Sequence, residues 1–427
     1  MKNRLICLIL TFIIILNIHP SKAQTTAELL GYNSDDKVLI INADDFGMCH
    51  SENVATMDLL LFGGISSATI MTPCPWFNEA AEFCRNNPLA DVGIHLTLTS
   101  EWKRYKWGSV APADLVPSLL TYEGYFPEGT LYVEMWANPE EVEIELRAQI
   151  EKALQLGIAP THIDNHMATV YGLFTGHDFL DSVFKLSKEY GLPFRLPRNL
   201  PDYYSEQLSQ VVIDKLMGMA DSLVTEGFTL PDYLHSINYG NTYEKTFSNY
   251  RDFLINLKPG VTELYIHAAK ESDEIKAVTN SWRNRDFDYQ IFMSNEMRDL
   301  IDSLGIHLIG WRDLQELQVE QIGTDVTIKK SPNIATDFEI AQNYPNPFNS
   351  STTIQYFLPV EKKVTLRIFD VSGREVKTLI NNNQLTGSHS VLWNGTNNLS
   401  NVVSSGLYFC KIQADGLTKA IKLSFVK

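Results

Sequence analysis

Seven short apolar runs, most of them followed by a helix-like stretch with its own start and stop signals, dominate residues 37–311 and restrict the fold most tightly. The runs are KVLIIN (37–42), SATIMT (67–72), VGIHLTL (92–98), THIDN (161–165), PFRLP (193–197), ELYIHA (263–268) and IHLIGW (306–311). Strands that alternate with helices pair in parallel, because the return through a helix is a right-handed crossover onto the same sheet. The clearest helix is expected at 139–156. Asn138 is placed to cap it, Pro139 suits its first turn, Glu140 and Glu141 suit its positive end, and Gly157 stops it. Seven such units predict a closed or nearly closed β/α barrel of TIM-like form, with an open doubly wound sheet as the alternative.

From about residue 337 the helical patterns disappear. Short β-rich runs (TTIQYFL, KKVTLRIFD, HSVLWNG, GLYFCKIQ, AIKLSF) follow, punctuated by SG, TG, NG and DG turns. That spacing predicts a small all-β, immunoglobulin-like sandwich. Residues 317–336 are polar without strong periodicity and read as a linker, so the expected bodies are 24–316 and 337–427. Residues 1–23 open with Lys2 and Arg4 and continue with the apolar Leu5 to Ile18. They end with Ser21 and Ala23 at the −3 and −1 positions of a cleavage site. This predicts a signal peptide, since the run is short for a span of about 20 residues. No later stretch is apolar enough to cross a bilayer, so an exported mature chain without a membrane span is expected.

The charge divides along the same boundary. Residues 337–427 hold nine basic and six acidic residues, whereas 24–336 hold 23 basic and 45 acidic ones. A first body carrying −22 argues against nucleic acid and against a polyanionic substrate, and is compatible with a neutral glycan. Five cysteines are too few for a disulfide-stapled framework, and Cys7 leaves with the signal. Cys74 and Cys84 are able to bridge within one body, but no obligatory disulfide is expected.

Four clusters of titratable residues each end a strand-like run. Asp44 and Asp45 in NADDFG follow KVLIIN directly. Adjacent carboxylates after a buried strand are unfavourable unless paired, hydrogen-bonded or metal-bound, the ordinary alternative being a solvated turn. His95 stands in GIHLTLT, His162, Asp164 and His166 in THIDNH, and His267 in ELYIHA. A lone histidine in a strand is most often structural. Four clusters together differ, because the C-terminal strand ends of a β/α barrel converge on the mouth where catalytic sites lie.

NADDFG, GIHLTLT and THIDNH, in this order and at these separations, resemble the signatures of the YdjC-like (ChbG/HpnK) carbohydrate deacetylases. The resemblance covers roughly 37–315 and includes RLPR, with Arg195 and Arg198, and the late strand with His267. It implies a β/α-barrel enzyme that removes acetyl groups from N-acetylated oligosaccharides with a divalent metal: magnesium first, zinc or another transition metal as alternatives. Position by position it implies Asp45, His95 and His166 as metal ligands and Asp44 as catalytic base, and more weakly His267 as proton donor to the leaving amine. His162 and Asp164 read as partners orienting His166 or the base. Arg195 reads as a restraint on Asp44, a substrate contact or a structural ion pair. Two departures bear on the substrate. Met167, Ala168 and Thr169 stand where the family continues to further histidines, and an insert around 100–137 carries Trp102, Trp107, Tyr122, Tyr125 and Trp136. Such aromatics suit sugar faces or simply pack within a capping loop. The competing readings are a non-catalytic glycan-binding protein on a decayed barrel and a metal-dependent esterase or amidase acting on another substrate.

The C-terminal body resembles the type IX secretion sorting domain (type A) through NYPNPFNSSTTIQYFLP (343–359), LRIFDVSGREVKTL (366–379), GLYFCKI (406–412) and the basic strand ending at Lys427. The resemblance implies periplasmic entry through the signal peptide, engagement of the type IX secretion machinery, and release or surface attachment. The alternative is a glycan-binding sandwich module.

Overall fold

The computed structural model describes residues 24–200, 208–322, 338–358, 362–384, 387–414 and 416–427, so the expected signal peptide and most of the expected linker lie outside it. Seven strands form one parallel sheet: β1 (Lys37–Phe46), β2 (Ser67–Ile70), β3 (Val92–Leu96), β4 (Ile163–Asn165), β5 (Tyr233–His235), β6 (Gly260–Ile266) and β7 (His307–Leu308). Their order is β4-β3-β2-β1-β6-β5, with β7 paired to β1 at Val38 and Leu39. Residues 194–199 close the ring, since Phe194 bridges Ile163 of β4 and Asn199 bridges Tyr233 of β5, both in parallel. The expected barrel is present with one exchange of staves. PFRLP contributes only the Phe194 bridge, because Pro193 and Pro197 have no N–H to sustain a ladder. Tyr233–His235 takes its place and was too short to show a period in the sequence.

Registry decides which side chains face inward. His95 lies opposite Asp164, and Ile40 opposite Glu263. Beyond the last β1–β6 pair, Ala43 with Ile266, the two strands lead to Asp44 and His267. Because β1 runs four residues past KVLIIN, both aspartates stand on the strand end, buried, rather than in a solvated turn.

The helix Pro139–Gln155 forms as expected and ends one residue early. The Asn138 side chain accepts from the Glu140 N–H, and Gly157 adopts φ 79° in the left-handed region that glycine tolerates. Its buried Val142, Leu146, Ile150 and Ala153 recur at helical spacing and pack on the barrel. The last barrel helix, Trp311–Ile322, corrects the linker boundary. Residues 317–322 continue this helix, Leu314 and Gln318 are buried, and Gln318 Oε1 accepts from the Thr229 N–H at 3.0 Å. Among the described residues, no helix is long and apolar enough to cross a membrane.

The C-terminal region forms two antiparallel sheets. One contains Glu375–Gln384, Lys362–Asp370, Gly406–Ala414 and Leu417–Phe425, and the other Gly387–Trp393, Thr352–Leu358 and Glu339–Ile340. Burial alternates strictly along Thr352–Leu358, the period of a strand with one face on a core. Ile354 and Tyr356 of one sheet and Leu366, Ile368, Cys410 and Leu423 of the other share an apolar cluster with Trp393, as in a sandwich. Cys49, Cys74, Cys84 and Cys410 are all free and buried.

Candidate active and metal site

Asp45 is the centre of the cluster. Its backbone has φ 66°, a left-handed conformation that strains a residue with a Cβ by about 1–3 kcal/mol. Met167 and Ala168, directly after His166, are strained in the same sense at 53° and 55°. Among the described residues the remaining non-glycine with positive φ is Ser400 in the sandwich. Strain therefore concentrates beside the NADDFG and THIDNH motifs.

Asp45, His95 and His166 each offer a ligand atom, and these atoms all lie within 4.8 Å of one another. Asp45 Oδ1 is 3.5 Å from His95 Nε2 and 3.3 Å from His166 Nδ1. That oxygen is buried and receives no aligned hydrogen bond. One carboxylate oxygen and two imidazole nitrogens facing one another form a donor set that suits a metal ion. Asp44, His95 and Asp164 also meet the spacing, but their carboxylates are already occupied. Arg195 donates to both Asp44 oxygens at 2.8 and 2.7 Å, and the Asn42 amide donates to Asp44 Oδ1 at 2.9 Å. Asp164 Oδ1 pairs with His95 Nδ1 at 2.6 Å, while its Oδ2 accepts from Thr69 Oγ1 at 2.9 Å and lies 2.8 Å from Arg195. The first group is the better fit.

Asp164 thus orients His95, on the neighbouring strand, rather than the expected His166 or Asp44. Arg195 takes the restraining and ion-pairing roles together, because Glu263 also accepts from its Nε at 2.9 Å. His162 is a correction. Its ring stacks on Trp311 at 4.6 Å and 6° and its Nδ1 pairs with Thr161 Oγ1 at 3.0 Å, so it orients neither His166 nor the base. Room for it comes from Gly93, where an added Cβ would lie 2.4 Å from His162 Nδ1. His267 directly follows β6, with its backbone N–H bonded to Asp288 at 3.0 Å and its ring 5.9 Å from that of Tyr265.

Several partners escaped the sequence reading. Arg285 donates to Asp45 Oδ2 at 2.9 Å and also to Glu52, leaving Oδ1 to the histidines. Glu101 pairs with His166 Nε2 at 3.0 Å. Glu263 was legible in principle, as a charge inside an apolar strand four residues before His267 and on its face. Arg285 lies on a helix where alternating charge is ordinary, and no signal marked it.

Electrostatics follow from this packing. Burial works against ionising Asp44, yet Arg195, His95 and His267 outweigh it and hold the carboxyl well below its usual range. Asp45 is held down similarly by Arg285 and His166 against burial. Burial lowers His95, but Asp164 and the two aspartates of β1 reverse the direction and raise it. Burial lowers His166 too, and Glu101 with Asp45 outweighs it, giving about 10. His267 is lowered, burial prevailing. Burial pushes Glu263 up to about 7, and Glu52 well above its usual value. Arg195 lies against Asp44, Asp164 and Glu263, and Arg285 against Asp45 and Glu52, so each buried acid of the cluster has a fixed cationic partner.

The expected aromatic insert divides. Trp107 is buried, donates from Nε1 to the Thr99 carbonyl at 2.8 Å, and sets its ring 6.4 Å from His166. Trp102 packs edge-on against it at 5.4 Å and lies under Arg285. Tyr122, Tyr125 and Trp136 are exposed.

Residues 38–303 match the family model described as YdjC-like protein, and residues 342–426 that of the secretion system C-terminal sorting domain. A Brevibacillus brevis protein named carbohydrate deacetylase is 29% identical over 276 residues, covering 65% of this chain and 99% of its own length. A Thermus thermophilus protein of the same name is 28% identical over 285 residues, covering 66% and 94%. A solved Enterococcus faecalis structure is 28% identical with a TM-score of 0.54, covering 65% of this chain and 99% of that one. The chain belongs to the YdjC-like family and carries a type IX sorting domain behind its barrel.

Proposed function

We propose that this protein is an exported carbohydrate deacetylase that hydrolyses N-acetyl groups of amino-sugar oligo- or polysaccharides with the help of a divalent metal. The observation that carries the reading is the unshared Asp45 Oδ1 facing two imidazoles beside the arginine-bound Asp44, in a chain whose relatives are named carbohydrate deacetylases. Asp45, His95 and His166 would hold the metal. Family resemblance points to magnesium, while two imidazoles suit zinc or another transition metal, so metal analysis of the purified protein decides. Once bound, the ion supplies Lewis acidity, making water a better nucleophile and polarising the acetamide carbonyl.

The chain's own residues do the rest. Asp44 is ionised throughout the working pH range and accepts the proton of the attacking water, with Arg195 keeping its oxygens oriented. His267, adjacent to Asp44 across β1 and β6, donates to the departing amine. Its lowered pKa makes the protonated ring a stronger acid although a scarcer one. Trp102 and Trp107 wall the mouth beside His166 and exclude water from one side. Tyr122, Tyr125 and Trp136, exposed on the same insert, offer faces for further sugar rings, which supports an oligomeric or polymeric substrate. The acidic barrel suits a neutral glycan.

For delivery we propose a cleaved signal peptide at 1–23, a barrel body that runs through the helix ending at Ile322, and the sorting body at 337–427. The type IX machinery would then deliver the protein outside the cell or to its surface. The test is acetate release from N-acetylglucosamine oligomers with and without chelator. Release that a chelator abolishes and added metal restores supports the reading; no release from any N-acetylated sugar overturns it.

A further inference from the structure

Each candidate ligand histidine is held from both sides. His95 faces Asp45 through Nε2 and Asp164 through Nδ1. His166 is turned the other way, facing Asp45 through Nδ1 and Glu101 Oε2 through Nε2 at 3.0 Å. A carboxylate on the outer nitrogen holds the N–H there, which leaves the inner nitrogen its lone pair and fixes the ring plane.

The two outer carboxylates have different origins. Asp164 is part of the barrel, on β4, and wholly buried. Glu101 comes from the insert after β3, with its side chain 21% exposed. That insert is firmly tied down. The N–H groups of Val110 and Ala111 donate to Glu145 at 2.9 and 2.8 Å. Gln149 accepts from the Thr97 N–H at 2.9 Å and donates to the Thr97 carbonyl at 2.7 Å. Lys106 Nζ donates to the Ser100 carbonyl at 2.7 Å, and the Trp107 N–H to Ser100 Oγ at 3.1 Å. Glu101 therefore stands on a loop braced on both sides of it.

We propose that Glu101 is a positioning residue that orients His166 for metal binding, making the aromatic insert part of the metal site. The proposal rests on Asp45, His95 and His166 holding a metal. Titration calorimetry of the full mature chain with Zn²⁺, alongside circular dichroism, tests both levels separately. Glu101→Ala is expected to weaken binding about 10–100-fold with the fold retained. Glu101→Gln, which keeps an acceptor oxygen, is expected to recover most of that affinity. A wild-type chain that binds no metal, or His166→Ala binding as well as wild type, overturns the metal reading and this proposal with it. If His166→Ala loses binding while Glu101→Ala stays within twofold of wild type, the proposal alone falls. Should Glu101→Ala fail to fold, Glu101→Asp withdraws the carboxylate by one methylene and is read the same way.

Discussion

Among the described residues, every buried Asp, Glu and Arg lies in the barrel, between Asp44 and Asp288, whereas the sandwich buries Trp393, Tyr356 and a set of aliphatic side chains. Removing a charge from water carries a penalty of several kcal/mol even after relaxation, so such groups persist only where fixed partners hold them. Within the barrel the buried acids divide again. Asp232, which accepts from the N–H groups of Thr26 and Val261, and Glu145 tie backbone segments together. Asp44, Asp45 and Asp164 instead meet arginines and histidines. Asp232 also accepts from Arg198 at 3.4 Å, so what sets Asp44, Asp45 and Asp164 apart is that they meet arginine and imidazole together in one cluster. The polar side chains that the sandwich region buries, Asn343, Thr352 and Thr396, are uncharged.

The strongest challenge to this contrast is removal of the proposed ligands. Asp45→Ala, His95→Ala and His166→Ala are each expected to lose bound metal and reduce acetate release to background. Undiminished metal in any one of them removes that residue from the site. Next, Asp44→Asn is expected to lower turnover about 10²–10⁴-fold with metal content near normal; full activity would show that Asp44 is not the base. In the other region, Trp393→Ala is expected to destabilise the sandwich by about 3–5 kcal/mol and impair export, while the rate of acetate release stays at the wild-type value. A comparable loss of rate would mean that the two regions are not functionally separate.

The smallest effect concerns Glu145. Burial raises its carboxyl from 4.5 to about 7, so the folded state holds the proton more tightly than the unfolded one. Its contribution is fully present below about pH 4.5 and is lost as pH rises through about 7. Glu145→Gln should flatten this part of the melting profile, with a wild-type fall of about 2–4 °C for each kcal/mol lost. An unchanged slope in the variant would assign the pH dependence to other groups.

Much of the molecule was legible in local patterns. Alternating strand and helix signals implied the parallel barrel, short β-rich runs punctuated by glycine turns implied the sandwich, and Asn138 and Gly157 marked their helix within one residue. Asp44, Asp45, His95 and His166, singled out by their clusters and by the family resemblance, come together because barrel topology carries strand ends to one mouth whatever their distance in sequence. Misreadings arose where non-local geometry intervened. Proline interrupted the stave at 193–197, and a two-residue step along one strand face put His162 against Trp311 while Asp164 reached His95.

The sequence by itself determined the kinds of element, their order and the motifs at their ends, because hydrophobic periodicity, capping and turn chemistry act between residues close in the chain. Only the tertiary structure decided which carboxylate serves which histidine, that Arg285 would claim one oxygen of Asp45 across 240 positions, and that Glu101 on a loop would reach His166. Those outcomes depend on angstrom-scale distances between remote segments, and a hydrogen bond or metal site forms only when those distances close.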